Sequence, residues 1–325
     1  MRILVTGGAG YIGSHVTWLL RREGHEPAVL DNLSTGHADA VPGDVPLVQG
    51  DLLDVEAIRR AFDAHSPEAV MHFAALALVA ESVRDPRRYF HENIVGALNL
   101  LDVMREREVR RFVFSSTAAT YGDPIAVPIP EGHPQQPVNP YGHTKLAIER
   151  MLASYDEAYG LRHATLRYFN AAGALPGEGL GERHAVETHL IPLLLAVPLG
   201  EAPEARVFGR DYDTPDGTCI RDYIHVMDLA DAHLLALGHI VDHDRSLALN
   251  LGTGSGHSVL EVLEEARRIT GHPIPASDHP RRAGDPPVLV AAVDRARDLL
   301  AWEARRSDLP SIIASAWEFH RGRSA

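Results

Sequence analysis

The stretch Ile3-Leu4-Val5-Thr6-Gly7-Gly8-Ala9-Gly10-Tyr11-Ile12-Gly13-Ser14-His15 decides how the rest of the chain is read. A short apolar run, the signature of a buried strand, passes directly into G-x-G-x-x-G at Gly8, Gly10 and Gly13, and Gly7 adds an overlapping glycine pattern. Helix-period residues follow over 12–22. Strand, glycine turn and helix in that order predict a cradle for a pyrophosphate. The glycines let backbone approach the anion, and the amides and dipole of the helix N-terminus favour it. Asp31 closes a second apolar run 18 residues after Gly13, where a carboxylate can bind adenosine ribose hydroxyls. That carboxylate would repel a 2′-phosphate, so the dinucleotide expected is NAD and not NADP. Asp51-Leu52, after a third run, suits the adenine edge.

Outward from this motif, apolar runs at 3–6, 28–30, 47–49, 69–73, 112–115 and 164–167 alternate with helix-period segments at 12–22, 55–65, 86–108 and 141–159. Such alternation predicts an α/β fold, a doubly wound parallel sheet with helices on both faces. After about Asn170 the pattern loosens. Gly/Pro-rich stretches at 174–181 and 209–217 read as loops, with helices at 226–240 and 259–270. We expect residues 1–170 to form the NAD-binding domain and 171–325 a smaller C-terminal α/β substrate domain, with some interleaving.

Composition narrows the function. With 31 basic and 44 acidic residues the formal net charge is −13, which argues against a broad surface for nucleic acid or anionic lipid. An anionic ligand must then be held by locally placed arginines and backbone amides. One cysteine, Cys219, allows no internal disulfide and fits a reducing compartment. Met1–Val5 runs into a glycine turn too soon for a signal peptide, and no apolar run reaches the roughly 18–20 residues of a membrane span. A cytoplasmic protein is expected.

Of the 31 basic residues, 30 are arginine; the one lysine is Lys145, in Tyr141-Gly142-His143-Thr144-Lys145. On a solvated face either cation serves, but a site that needs a compact ammonium cannot accept a guanidinium fork. Tyr141 and Lys145 stand one helical turn apart, on one face. Phe114-Ser115-Ser116-Thr117 closes the fifth strand, and ligands bind outside the carboxyl ends of parallel strands, so Thr117, Tyr141 and Lys145 can meet at the nicotinamide end. A phenol of pKa about 10 is a poor base at neutral pH. A nearby ammonium and a cationic nicotinamide would stabilise the phenolate and bring it toward the working range.

These residues resemble the extended short-chain dehydrogenase/reductase superfamily. Thr6–His15, Asp31-Asn32-Leu33, Arg167-Tyr168-Phe169-Asn170 and Asp222-Tyr223-Ile224-His225-Val226 narrow the likeness to the UDP-galactose 4-epimerases, over essentially the whole chain. The resemblance implies a Rossmann fold and a homodimer paired through helices near 86–108 and 141–159. It implies that Gly7, Gly10, Tyr11, Ile12, Gly13, Asp31, Asn32, Leu33, Ser34, Thr35, Gly36, Asp51, Leu52, Phe73, Ala74, Ala75, Asn93, Ser115, Tyr141, Lys145, Tyr168 and Phe169 contact NAD. A UDP-sugar would be held by Thr117, Tyr141, Asn170, His189, Leu190, Arg206, Val207, Phe208, Arg221, Tyr223, Arg282, Asp285 and Leu289, the arginines suiting the diphosphate. The implied reaction is epimerisation at C4 through a transient 4-keto sugar, with Tyr141, Lys145 and Thr117 catalytic.

Two positions depart from the family. The loop after the fourth strand, Phe73-Ala74-Ala75-Leu76-Ala77-Leu78, lacks the usual lysine, so the holoprotein is expected to need added cofactor. Leu289 stands where relatives carry tyrosine or a small residue, which predicts poor activity on UDP-N-acetylhexosamines. Other readings compete. A 4,6-dehydratase would carry Asp-Glu after the threonine, where this chain has Ala118-Ala119. A 4-epimerase of another nucleotide-sugar, such as a glucuronate, uses the same core residues. A nucleotide-sensing protein with a dead site is opposed by the intact Thr117, Tyr141 and Lys145. No metal site is expected; among 19 histidines, His239 and His243 at helical spacing lack an obvious third ligand.

Overall fold

Strands β1 (Arg2–Thr6), β2 (Glu26–Asp31), β3 (Leu47–Gln49), β4 (Ala69–His72), β5 (Arg111–Thr117) and β6 (Arg162–Tyr168) appear in chain order in a computed structural model that describes residues 1–282 and 284–324. With Leu247–Leu251 they make one seven-stranded sheet in the order Leu247–Leu251, β6, β5, β4, β1, β2, β3. β1 pairs in parallel with β2 and β4, β2 with β3, and β4 with β5. Chain order therefore reverses between β1 and β4, the switch point at which doubly wound sheets bind ligands. The strands read as continuous apolar runs because both faces are covered: Leu4, Val70, Phe112 and Phe114 are fully buried.

Helices fill the crossovers as the period predicted. Tyr11–Arg22 follows the glycine turn, Val55–His65 is capped by Asp54 accepting from the amide of Glu56, and Pro140–Tyr159 is capped by Asn139 accepting from the amide of Gly142. The single helix expected over 86–108 is interrupted. An α turn at Pro86–Tyr89 passes through a π segment at Phe90–Val95 before α-helix resumes over Gly96–Glu106. The wider turn carries Asn93, fully buried, whose amide group is bonded to other segments. π turns of this kind recur at functional sites.

The chain gathers into two units. The first comprises Met1–Asp123, Pro134–Arg167 and Ala230–Leu249. The second takes Pro124–His133, Tyr168–Leu229 and the chain from Asn250 onward. In the second, Ala205–Phe208 pairs in parallel with Ala276–His279, and Tyr223–His225 with Asn170–Ala172. Ile220–Arg221 lies between His257–Ser258 and Val288–Leu289. Helices Leu190–Leu195, Val259–Thr270 and Leu309–Ser324 supply its core, with Leu194, Val262, Ile312 and Ile313 buried together. Val259–Thr270 starts with a reciprocal Ser258/Glu261 capping box, satisfying two amides that would otherwise be orphaned.

Candidate active site

The glycine turn has the shape a dinucleotide requires. Gly7 has φ +72°, and a Cβ there would lie 2.5 Å from the amide nitrogen of Ala74. A Cβ on Gly13 would lie 2.2 Å from the carbonyl oxygen of Gly7. No side chain fits either place, so the turn after β1 and the loop Phe73–Ala74 after β4 pack backbone to backbone at the switch point. Thr6 holds that loop through its carbonyl, which accepts from the amides of Phe73 at 2.9 Å and Ala74 at 3.1 Å. Gly10 is the N-cap of Tyr11–Arg22 and contributes no capping side chain, leaving the positive end of the dipole to an anion.

Asp31 sits at the end of β2, its carboxylate accepting from the amides of Ala9 at 3.0 Å and Leu33 at 2.8 Å. Leu33 has φ +59°, and Gly36 packs close to Asp31 Oδ1, so the carboxylate organises the 31–36 loop. Asn32 donates to Asp51 at 2.7 Å and accepts from the amide of Ser34 at 3.0 Å; Thr35 is exposed beside them. Asp51 also accepts from Leu53, and Leu52 presents its carbonyl to Asn99. Cradle, acidic strand end and adenine-side loop together fit NAD by the chemistry of their donors and acceptors.

Asn93 ties the loop after β4 to the catalytic helix. It accepts from the amide of Leu76 at 2.8 Å and donates to the carbonyl of Leu76 and to Thr144 Oγ1, both at 3.0 Å. This clamp fixes Ala74–Leu76 without the lysine that the family's loop would supply.

Gly142 brings the candidate catalytic groups together. A Cβ there would lie 2.5 Å from the carbonyl oxygen of Ala119, so only glycine lets the start of Pro140–Tyr159 reach the loop after β5. Tyr141 then stands near the Thr117 hydroxyl. Lys145, 2% exposed, donates to the carbonyl of Ser115 at 2.9 Å. Its Nζ lies 4.9 Å from the ring centre of Phe114 and 5.9 Å from that of Tyr141. Burial lowers the Lys145 ammonium to about 7, with Glu149 opposing the shift. Burial also pushes the Tyr141 phenol up to about 12, against the pull of Thr117. The protein environment alone therefore favours the phenol, and positive charge from outside it is needed to make the phenolate. His72, beneath Lys145, is bonded to Thr6 Oγ1 at 2.7 Å and pushed down to about 3 by burial and the ammonium, so it is neutral.

Sequence reasoning missed the group behind the lysine. Glu149, one turn past Lys145, takes a fork of hydrogen bonds from Arg167 at 2.7–3.2 Å, and Ser116 donates to it at 2.5 Å. Gln135 completes its shell at 2.9 Å, and Arg167 also donates to Tyr121. The spacing of Lys145 and Glu149 was the signal that could have exposed this network.

Apart from Thr117 and Tyr141, the substrate-side candidates lie in the second unit, as do Tyr168, which is buried, and the half-buried Phe169 and Asn170. Arg221, buried at the end of a short strand, forms an ion pair with Asp285 and donates to its neighbour's carbonyl, that of Ile220, at 2.8 Å. Arg282 lies over the ring of Phe208, 4.4 Å from its centre. Leu289 is paired in register with Arg221. His189 caps Leu190–Leu195 by position and pairs with the buried Glu182. Val207 and Tyr223 point into the apolar core, which leaves their backbone for any ligand, and Arg206 stands exposed between Ala205 and Val207. Among these residues Asp222 was quoted only as part of a motif. Its fully buried carboxylate accepts from the amide and hydroxyl of Thr253, both at 2.8 Å, and from the amides of Ala291 and Gly254 at 3.1 and 3.2 Å.

Comparison with known proteins agrees with this geometry. The model of the NAD dependent epimerase/dehydratase family matches residues 3–252. UDP-glucose 4-epimerase of Halalkalibacterium halodurans is 51% identical over 99% of this chain and 96% of its own. The crystal structure of UDP-glucose 4-epimerase from Brucella ovis in complex with NAD is 49% identical, covers 97% of each chain and has a TM-score of 0.94. The enzyme of the same name from Bifidobacterium longum, solved with NAD+ and UDP, is 38% identical over 99% of this chain and 98% of its own, with a TM-score of 0.94. With a family match over most of its length and full-length relatives about half identical, the chain belongs to the NAD dependent epimerase/dehydratase family, among the UDP-glucose 4-epimerases.

Proposed function

We propose that this protein interconverts UDP-galactose and UDP-glucose by NAD-dependent epimerisation at C4, with Tyr141 as the group that moves the proton. The observation that carries the assignment is the set of buried Lys145 with half-buried Thr117 and Tyr141 at the carboxyl end of the sheet, beside a glycine turn that admits no side chain and leaves a helix N-terminus to an anion. NAD, when bound, would supply a hydride acceptor and, in its oxidised form, positive charge that favours the phenolate. Tyr141 takes the proton of the sugar 4-hydroxyl and returns it after the 4-keto sugar has turned over. Thr117 donates to the phenolate oxygen. Lys145, held by the carbonyl of Ser115, adds positive charge and would hold the nicotinamide ribose. Asp31 selects the unphosphorylated ribose, and Asn93 keeps the loop after β4 in register.

On the substrate side, Arg221 and Arg282 pair with the diphosphate. Asp285 holds the Arg221 guanidinium in place, and Phe208 does the same for Arg282 by stacking. Asn170, His189 and Leu190 line the nucleotide-sugar, with Leu289 beside the sugar. Two copies pair through the helical segments at Pro86–Glu106 and Pro140–Tyr159. In support, Phe90, Leu98 and Tyr159 on those segments are large apolar residues 38–51% exposed. The buried single cysteine suits a cytoplasmic setting.

Incubating the protein with UDP-galactose and NAD and following the sugar by NMR tests the assignment. The expected product is UDP-glucose at equilibrium with its substrate. A 6-deoxy-4-keto product would instead make the protein a dehydratase, and no change in the sugar would leave it a binding protein.

A further inference from the structure

The segment Glu182-Arg183-His184-Ala185-Val186-Glu187-Thr188-His189 in the second unit folds four potential metal donors onto one point. The carboxylates of Glu182 and Glu187 and the Nδ1 atoms of His184 and His189 all lie within 4.8 Å of one another. His184 Nδ1 is 3.3 Å from Glu182 and 3.4 Å from Glu187, His189 Nδ1 is 3.5 Å from Glu187, and His189 Nδ1 also touches Glu182. Charge-assisted N–H···O bonds run at about 2.7–2.9 Å, so three of the four separations are too long for good ones. The two His184 separations match a different geometry, and the direct His189–Glu182 hydrogen bond would open for both groups to bind one ion. Ligands on a tetrahedral ion with bonds of about 2.0–2.1 Å stand about 3.3–3.4 Å apart.

The supporting contacts point the same way. Glu187 Oε1 accepts from the amides of Thr188 at 2.7 Å and His189 at 2.8 Å, which leaves Oε2 facing His184. Ligating carboxylates are commonly aimed by such bonds. Glu182 is 4% exposed, so its charge needs an internal counterpart. With both imidazoles neutral, as metal ligands must be, the set carries −2, which a dication balances in place of the protons that the two carboxylates otherwise hold on His184 and His189. Imidazole donors disfavour magnesium and calcium, which take oxygen, and favour zinc and its neighbours.

We propose that Glu182, His184, Glu187 and His189 bind one divalent transition-metal ion of zinc's class. With four protein donors the shell is closed, which makes the site structural and not catalytic. The ion cross-links the strap from Glu182 to His189 immediately before Leu190–Leu195. The site does not depend on the assigned reaction. Its effect on substrate binding, through His189 and Leu190, does.

The test uses tag-free, full-length protein with its NAD retained, freed of metal by a chelator and dialysed. Zinc chloride is titrated calorimetrically and the bound metal counted by elemental analysis. The wild type is expected to take up one equivalent. His184→Ala and Glu187→Gln, checked for native circular dichroism, should each bind at least ~100-fold more weakly. His243→Ala, which removes an exposed histidine elsewhere, should bind as the wild type does. Equal uptake by all four proteins, or no stoichiometric uptake by the wild type, overturns the proposal and leaves an ion-pair cluster. Cobalt(II) gives an answer independent of variants. Intense visible absorption of a tetrahedral site supports the proposal, and the pale spectrum of the hydrated ion overturns it. Loss of zinc uptake with C4 epimerisation intact, or the reverse, separates this inference from the assigned reaction.

Discussion

The candidate catalytic pair of the first unit and the buried charges of the second are handled in opposite ways, although the first unit also buries a matched pair, Glu149 with Arg167. In the first pair, buried Lys145 has the Phe114 ring and the Ser115 carbonyl beside it, Tyr141 is half-buried, and among the described residues neither forms an ion pair. Their titrations move toward and away from neutrality in consequence, the ammonium down to about 7 and the phenol up to about 12. In the second, Arg221 is matched by Asp285, and Asp222 is enclosed by four donors. Satisfied groups hold a shape, and groups left short of partners are ready for chemistry. On the proposed reading the reaction needs both kinds of group, one to exchange a proton and others to hold a nucleotide.

Removing the reactive group breaks that contrast most severely. Tyr141→Phe keeps the ring and its packing and deletes the proton carrier, so kcat should fall ~10²–10⁴-fold. Binding of a UDP-sugar, followed calorimetrically, should change little. A variant that turns over near the wild-type rate would remove Tyr141 from the mechanism.

The matching change in the second unit should strike stability and leave chemistry alone. Asp222→Ala strips the acceptor from the buried amides of Thr253, Gly254 and Ala291, each worth about 1–3 kcal/mol when orphaned. Thermal unfolding should show a drop of at least about 2 kcal/mol. An unchanged Tm would mean that the carboxylate is not the centre of this unit's polar network.

Lysine 145 supplies a pH test. Its folded pKa lies near 7 and its unfolded value near 10.5, so between those values the unfolded chain binds more protons than the folded one. Stability from this group therefore rises with pH across that window. Below about 7 both states are protonated and the burial penalty is constant. Lys145→Met removes the difference. In cofactor-stripped protein, wild-type stability minus that of the variant should climb from pH 7 toward pH 9.5, by an amount on the order of a few kcal/mol at most. A flat difference would place the ammonium in contact with water.

How much of this was legible depended on whether a residue's role is local. The Val55–His65 and Val259–Thr270 helices were readable to the residue, because Asp54 and Ser258 cap them and the apolar period is strong. The glycine cradle was readable because a backbone approach leaves glycine no substitute. The break at Phe90–Val95 was not, since it depends on Asn93 meeting Leu76 and Thr144, far away in the chain. Leu247–Leu251, with the chain from Ala230 that leads to it, joins the first unit after a long excursion, which no local pattern announces. Glu149 drew no attention in the sequence and Arg167 entered only as part of a motif, since their pairing is made by the fold that buries them.

Leu289 gives the smallest effect and sharpens the contrast within the second unit itself. It lies in register with Arg221, and its carbonyl accepts from the amide of Asp222 at 3.1 Å. The backbone here is therefore fixed by the satisfied network, while the half-buried side chain is free to vary without disturbing it. On the proposed reading that side chain sets the room at the sugar 2-position. Leucine is too large to admit an acetamido group easily and too small to reject it absolutely. Leu289→Ser should leave kcat/KM for UDP-galactose within a few-fold and raise it for UDP-N-acetylgalactosamine by ~10-fold, the range a few methylenes control in an apolar pocket. Parallel assays on the two sugars measure the ratio. If both rates change together, position 289 acts through the strand and Arg221, and specificity lies elsewhere.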